Sequence, residues 1–210
     1  MISEFAPYLK GNLIEIGAGV GQVTRHLLDL HTLDRILSVE PEKGFCEQHR
    51  LNFPGHELIE GHVDHMDPGS AWDAILSINV LEHIQADAAE LSKYAALLKQ
   101  RAGAICLFVP ARPEIYAPID RDFGHFRRYT KPELREKLVN AGFRIQRLDY
   151  FNLPGYLAWW LNFCVLRKRC FEAGKVRFYD RVIFPLVHQF ESKVLRPPIG
   201  QSLLAVAISE

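Results

Sequence analysis

The stretch Leu13-Ile14-Glu15-Ile16-Gly17-Ala18-Gly19-Val20-Gly21-Gln22-Val23-Thr24 decides the fold. Leu13, Ile14 and Ile16 predict a short buried strand. Three glycines at alternate positions predict a turn, and a helix is expected from Val23 to about His31. Glycine adopts backbone angles that other residues resist, and its missing side chain lets a ligand come close to the main chain. A strand, a glycine turn and a helix in that order predict a cofactor site at the carboxyl edge of a parallel sheet.

Spacing narrows the cofactor. A dinucleotide fingerprint would need its third glycine at position 22, which is Gln22, and no Gly-Lys-Ser/Thr is present to cradle a phosphate. What remains is Glu15-x-Gly17-x-Gly19-x-Gly21, with Glu40 closing the next apolar run, Arg35 to Val39. A carboxylate there has two oxygens to accept both hydroxyls of a ribose. In these residues the chain resembles the class I S-adenosylmethionine-dependent methyltransferases, whose first motif and ribose-binding acid have this form. The resemblance implies S-adenosylmethionine as cofactor, held at Gly17, Ala18, Gly19 and Glu40.

Composition agrees with a soluble α/β domain. The 210 residues suffice for one well-cored domain with an appended piece. Lys plus Arg equals Asp plus Glu at 25 each, so no global field draws nucleic acid. Cys46, Cys106, Cys164 and Cys170 form no Cys-x-x-Cys pair, which points to reduced thiols and no metal centre. The N-terminus has no basic segment followed by an apolar one, so no signal peptide is expected and the location is read as cytoplasmic.

Along the chain, further strands are predicted at Ile36–Glu40, Glu57–Val63, the run ending at Ile78, Ala104–Val109, Phe143–Tyr150 and Leu203–Ile208. Helices are predicted at Phe45–Asn52, Ala86–Lys99 and from the capping box Thr130-Lys131-Pro132-Glu133 to Ala141. Gly103 and Gly142 are read as helix C-caps. The expected fold is α/β: a Rossmann-like, mostly parallel seven-stranded sheet whose last strand is antiparallel. Residues 1–151 and 201–210 form the core, and 152–200 a helical insert before the last strand.

The chain matches the family at further points. After the third strand the family often places an aspartate against the adenine; here that position is His62, so His62, Asp64 and the backbone of Val63 all stay open for the contact. Trp72-Asp73 through Leu81-Glu82-His83-Ile84 resembles the fourth motif, which puts Asn79 beside the methionine part of the cofactor. His83, just beyond that strand, is a candidate base for a hydroxyl or amine acceptor. Its alternative role is local packing.

Pro110 to Tyr129 is read as a long polar loop, and a loop of this length is functional more often than idle. It holds a second candidate base, His125, and acceptor-binding candidates Tyr116, Asp120, Arg127, Arg128 and Tyr129. An arginine pair suits a carboxylate or phosphate on the acceptor; it would equally pin the loop to Asp120 and Asp122. The segment resembles one found in a subset of bacterial methyltransferases, some of them associated with glycan or lipid-linked sugar metabolism.

The insert carries two helical stretches, Gly155–Leu166 with Trp159-Trp160 and a basic triplet Arg167-Lys168-Arg169, and Phe178–Val194. It is read as a lid, a homodimer contact or a surface for peripheral contact with the inner membrane face. Its apolar runs fall short of the ~20 residues that span a bilayer. The expected activity is methyl transfer from S-adenosylmethionine to an oxygen, less so a nitrogen, of a small or lipid- or glycan-linked acceptor. Alternatives are a nucleotide-dependent oxidoreductase or epimerase, and a non-catalytic protein that keeps the cofactor fold.

Overall fold

The computed structural model describes residues 1–66, 70–168 and 197–210. In chain order, α1 (Ile2–Phe5) leads to β1 (Gly11–Ile16), α2 (Thr24–Leu27), β2 (Leu33–Glu40), α3 (Lys43–Asn52), β3 (Glu57–Glu60) and β4 (Ala74–Ile78). Then come α4 (Asp87–Leu98), β5 (Ala104–Pro110), α5 (Pro118–Asp122), α6 (Lys131–Asn140), β6 (Phe143–Phe151), α7 (Leu153–Trp159) and β7 (Ser202–Ser209).

The strands form one sheet in the order β3-β2-β1-β4-β5-β7-β6. All neighbours are parallel except β7, which runs antiparallel to both β5 and β6. This is the expected architecture. Strand order reverses between β1 and β4, and in such sheets ligands bind in the crevice beyond the carboxyl ends at that switch.

The central strands are mostly apolar, β5 throughout, because both faces are covered. Successive side chains point to opposite faces. Ile14, Ile75, Ile105 and Leu107 therefore join one core with Leu91, Tyr94, Leu134 and Leu138 of α4 and α6. Leu13, Ala74, Leu76, Cys106 and Phe108 join the other, with Phe5, Leu9 and Leu27. Each fully buried Leu or Ile contributes roughly 1.5–3 kcal/mol. Cys46, Cys106 and Cys164 are free thiols; Cys170 lies outside the described residues.

Local departures have physical causes. α2 is a single turn rather than a helix to His31, because the Thr32 carbonyl accepts from Gly11 and the Thr32 hydroxyl donates to Leu9, which starts β2 at Leu33. After α4 the left-handed residue is Ala102 (φ 46°), not Gly103. Gly103 is needed because a Cβ there would press on the carbonyls of Trp72 and Asp73, both at 2.9 Å.

The segment between β5 and α6 is more ordered than the loop expected there. It contains a 3-10 turn at Pro113–Ile115 and α5, and a bridge pairs Ala111 with Tyr129 to close its base. The insert begins at Asn152 (φ 64°), whose side chain accepts from Gly155 and donates to Gln201 beside β7. α7 runs into a π-helical turn at Trp160–Val165, and Trp159 and Phe163 pack on Ile115, Ala117 and Ile119. The second predicted helix, Phe178–Val194, lies outside the described residues. Among those residues no helix is long and apolar enough to cross a membrane.

Candidate active site

β1 delivers the glycine turn to the crevice, and its three glycines have different jobs. All take left-handed angles: φ 73° at Gly17, 54° at Gly19 and 90° at Gly21. A Cβ on Gly17 would collide with Val80 beyond β4, and one on Gly21 would collide with Phe53 beyond α3. A Cβ on Gly19 would meet nothing within 4 Å, so this is where the main chain faces open space. Gly17 and Ala18 donate to the Val39 carbonyl at 2.8 and 3.3 Å. Gly19 donates to Glu40 Oε2 at 2.9 Å, while Glu40 Oε1 accepts from the Glu42 amide at 2.9 Å. The buried carboxylate thus sits at the turn itself.

Under the turn lies a polar network that sequence reading missed. Glu15 Oε2 accepts from the hydroxyls of Thr24 at 2.7 Å and Ser38 at 2.6 Å. Those hydroxyls meet His49 Nε2 at 3.0 Å and His56 Nε2 at 2.9 Å. Burial pushes the Glu15 carboxyl up and both imidazoles down. Within the motif Glu15 reads as strand; only its two hydroxyl neighbours on other elements reveal its role.

Asn79 ends β4 exposed and with φ 53°, an angle that asparagine tolerates better than most residues and that marks functional sites. Beyond β3, Val63 is buried, while His62 is exposed with its amide donating to His65 Nδ1 at 3.1 Å. Asp64 is paired with Lys93 at 2.7 Å. An open main-chain turn, a carboxylate beside it and a strained polar residue across the crevice fit a ribose-bearing methionine derivative.

Across from the glycine turn, two further segments are tied together. The 3-10 turn Leu81–His83 lies beyond β4, ahead of α4. Against it lie residues 116–129: the Phe126 amide donates to the Glu82 carbonyl at 2.9 Å, and Tyr116 Oη donates to the His125 carbonyl at 2.7 Å. These bonds bring the rings of His83 and His125 edge to face, 4.8 Å apart. His125 Nδ1 lies 3.0 Å from Asp120 Oδ1. Burial works upward on the Asp120 carboxyl, but bonds from His125 and Arg128 outweigh it and hold it below its usual range. Because that carboxylate accepts, Nδ1 is assigned as the donor and Nε2 as the bare lone pair.

Three groups expected to bind the acceptor are engaged by the protein's own carboxylates. Arg128 is buried; it donates to Asp120 at 2.8 Å and to the Ala111 carbonyl at 3.2 Å, with its guanidinium 4.3 Å over the Trp159 ring. Tyr129 is buried, its hydroxyl donating to Asp87 at 2.8 Å. Arg127 pairs with Asp87 at 2.6 Å and donates to the Gln85 carbonyl at 2.8 Å. Local spacing could not foresee this, because Asp87 is brought in by the chain's path into α4. Tyr116 remains on the open side, lining a depression of about 240 Å³ with Ala117, Pro118 and Arg121.

Glu82 is the other residue that sequence reading passed over. It is completely buried, and neither carboxylate oxygen has a hydrogen-bond partner among the described residues. Burial pushes its carboxyl up to about 8. His125 Nε2 faces its Oε1 at 4.0 Å. An ionisable residue inside the otherwise apolar run Val80-Leu81-Glu82 was the available signal.

Comparison with known proteins agrees with this geometry. Residues 14–104, from β1 through the start of β5, match the family model described as a methyltransferase domain. No curated protein matches the chain. Among solved structures, an S-adenosylmethionine dependent methyltransferase from Mesorhizobium loti has a TM-score of 0.67 at 15% identity, covering 99% of this chain and 95% of that one. A SAM dependent methyltransferase from Archaeoglobus fulgidus has a TM-score of 0.65 at 15% identity, covering 99% and 91%. The DhpI–SAH complex has a TM-score of 0.56 at 20% identity, covering 70% and 74%. A methyltransferase-domain model is thus matched from β1 to the start of β5, and the strand order around it is the fold of the S-adenosylmethionine-dependent methyltransferases that the chain resembles.

Proposed function

We propose that the protein methylates an oxygen of a small or lipid- or glycan-linked acceptor held between the 81–83 turn and the segment 116–125. The observation that carries this reading is the Asp120–His125 pair at 3.0 Å, with the His125 ring packed edge to face on exposed His83. A hydroxyl gains from a proton acceptor during attack, and an imidazole oriented by a buried carboxylate provides one. The donor would lie along Gly19, Glu40 and Asn79, with Gly17 and Ala18 shaping the turn and Val63 or His62 beside the adenine. Methyl transfer is an in-line displacement, so holding the two reactants on one axis and excluding water supplies much of the rate.

The described part of the insert supports a covering role. Trp159 donates from Nε1 to the Ile115 carbonyl at 3.1 Å, so the first helix of the insert roofs the acceptor segment. Leu157, Trp160 and Leu161 on the same stretch are exposed, which suits contact with a lipid-linked acceptor at a membrane surface.

The test is transfer of labelled methyl to a panel of hydroxylated and amino acceptors, including lipid-linked sugars in vesicles. Label on hydroxyl oxygen, lost on His125→Asn, is the expected result. Label found only on nitrogen, or unchanged in that variant, refutes the reading.

A further inference from the structure

Glu82, His83 and His125 each offer one ligand atom, and the three atoms lie within 4.8 Å of one another. They come from two segments that the Phe126–Glu82 main-chain bond holds in register, and within the second the Tyr116 hydroxyl donates to the His125 carbonyl. The geometry points to a divalent transition-metal site formed by Glu82, His83 and His125 at the acceptor side of the crevice.

Three observations carry this. First, both Glu82 oxygens are buried without a donor among the described residues, and one faces His125 Nε2 at 4.0 Å. Two lone-pair groups facing each other at that distance are too far apart for a hydrogen bond between them. A cation between them satisfies both. Ligands at the tetrahedral angle around an ion with bonds of about 2.0–2.2 Å stand roughly 3.3–3.6 Å apart. The 4.8 Å limit therefore needs closing by about 1.5 Å at most, and exposed His83 has room to move.

Second, the far nitrogen of each imidazole is already held. His125 Nδ1 donates to Asp120, which is itself anchored by Arg128 and the Ala117 amide at 2.8 Å. The His83 ring hydrogen-bonds to the Gly124 backbone. Metal-binding histidines characteristically have such partners on the second nitrogen, which fix the tautomer and aim the other at the ion.

Third, the donor set is selective. Two imidazoles and one carboxylate suit zinc, iron, cobalt or manganese, whereas magnesium and calcium prefer all-oxygen sets. Three protein ligands leave positions open for an oxygen of the acceptor. That last use rests on the methyl-transfer reading above; ion binding itself does not. When the ion is bound, His125 serves as a ligand and not as a free base.

The experiment takes the whole chain, strips it with EDTA and titrates it with Co²⁺ alone. Visible d–d bands saturating at one equivalent, with a rise in Tm, are expected. Glu82→Gln and His125→Asn should each weaken Co²⁺ binding by ~10-fold or more. Because Glu82→Gln replaces a buried carboxyl that lacks a hydrogen-bond partner among the described residues, it should not melt below the stripped parent; should it misfold, exposed His83→Asn gives the same readout. No bands in the parent overturns the proposal. So do bands that survive these variants and vanish in His56→Gln, since they would report the Glu15–His49–His56 group under the glycine turn. S-adenosylhomocysteine affinity, measured in parallel, reports on the donor crevice and can fail independently of the metal.

Discussion

Glu40 Oε2 accepts the Gly19 amide hydrogen at 2.9 Å, so the acid at the end of β2 is part of the turn just beyond β1. The two ends are adjacent because β1 and β2 pair in parallel register, Ile16 opposite Val39. A group that closes the turn and also faces the donor should affect both when removed.

Glu40→Ala should therefore weaken S-adenosylhomocysteine binding by ~1.5–3 kcal/mol, the range for hydrogen bonds to a charged group. It should lower Tm as well, since the Gly19 and Glu42 amides lose their acceptor. Isothermal calorimetry and a melting curve on the same sample read both. Affinity within about twofold of the parent would mean the carboxylate holds the turn and nothing else.

The glycines allow a cleaner separation. Gly17→Ala drives a methyl into Val80, so its main effect should be on stability, and Val80→Ala should rescue it. Gly19→Ala meets no atom and should lose only the ~1–2 kcal/mol of a left-handed alanine. Its effect on S-adenosylhomocysteine affinity should be the larger one. Equal loss of ligand affinity in both variants, unrelieved by Val80→Ala, would contradict this division.

Arg128→Ala should cost about 3–5 kcal/mol of stability, because Asp120 would be left as a buried charge without its principal partner. The lost guanidinium also uncovers the Trp159 ring. His125→Asn leaves the Arg128–Asp120 pair in place and should cost less stability than Arg128→Ala, while transfer falls by ~10²-fold or more. Chemical denaturation distinguishes the two; a fully stable Arg128→Ala would return that side chain to the acceptor.

Stability should fall on the acid side through His49 and His56. Burial holds both below their ordinary 6.5, so the folded chain protonates them less readily than the unfolded one. The unfolded chain takes up protons first as pH drops past about 6.5, and stability is lost below that point. Glu15, pushed upward by burial, acts with the opposite sign over the range above its ordinary 4.5. Comparing His56→Gln with the parent isolates the histidine contribution: between about pH 7.5 and 5.5 the parent should lose more Tm than the variant. Identical slopes would exclude His56.

Trp159 and Trp160 should behave as opposites. Trp159 is buried on Ile115 and Phe163, and Trp159→Ala should cost ~3–5 kcal/mol. Trp160 is 47% exposed, and Trp160→Ser should change Tm little. Loss of binding to anionic vesicles on Trp160→Ser would support peripheral membrane contact. A parent that does not bind vesicles rules it out.

The amino-acid sequence by itself determined the sheet and the donor edge. Unbroken apolar runs such as Ala104–Val109 are stable only as strands covered on both faces, so they announce a parallel sheet without any knowledge of their neighbours. Glycine angles, proline stops and the Thr130 capping box are equally local, since each acts within a few residues. The proposed acceptor side was legible as a concentration of charge between Asp120 and Tyr129, but not in its directions. Arg127 and Tyr129 turn inward to Asp87, and Arg128 to Asp120 under Trp159, because the folded chain supplies buried carboxylates that a linear reading cannot place. Likewise Glu82 and His125 face each other only because β4 and β5 end at the same edge of the sheet and the Phe126–Glu82 main-chain bond aligns the two segments beyond those strands. Periodicity is written in one dimension; which charges are buried, and against what, is decided by contacts between segments far apart in the chain.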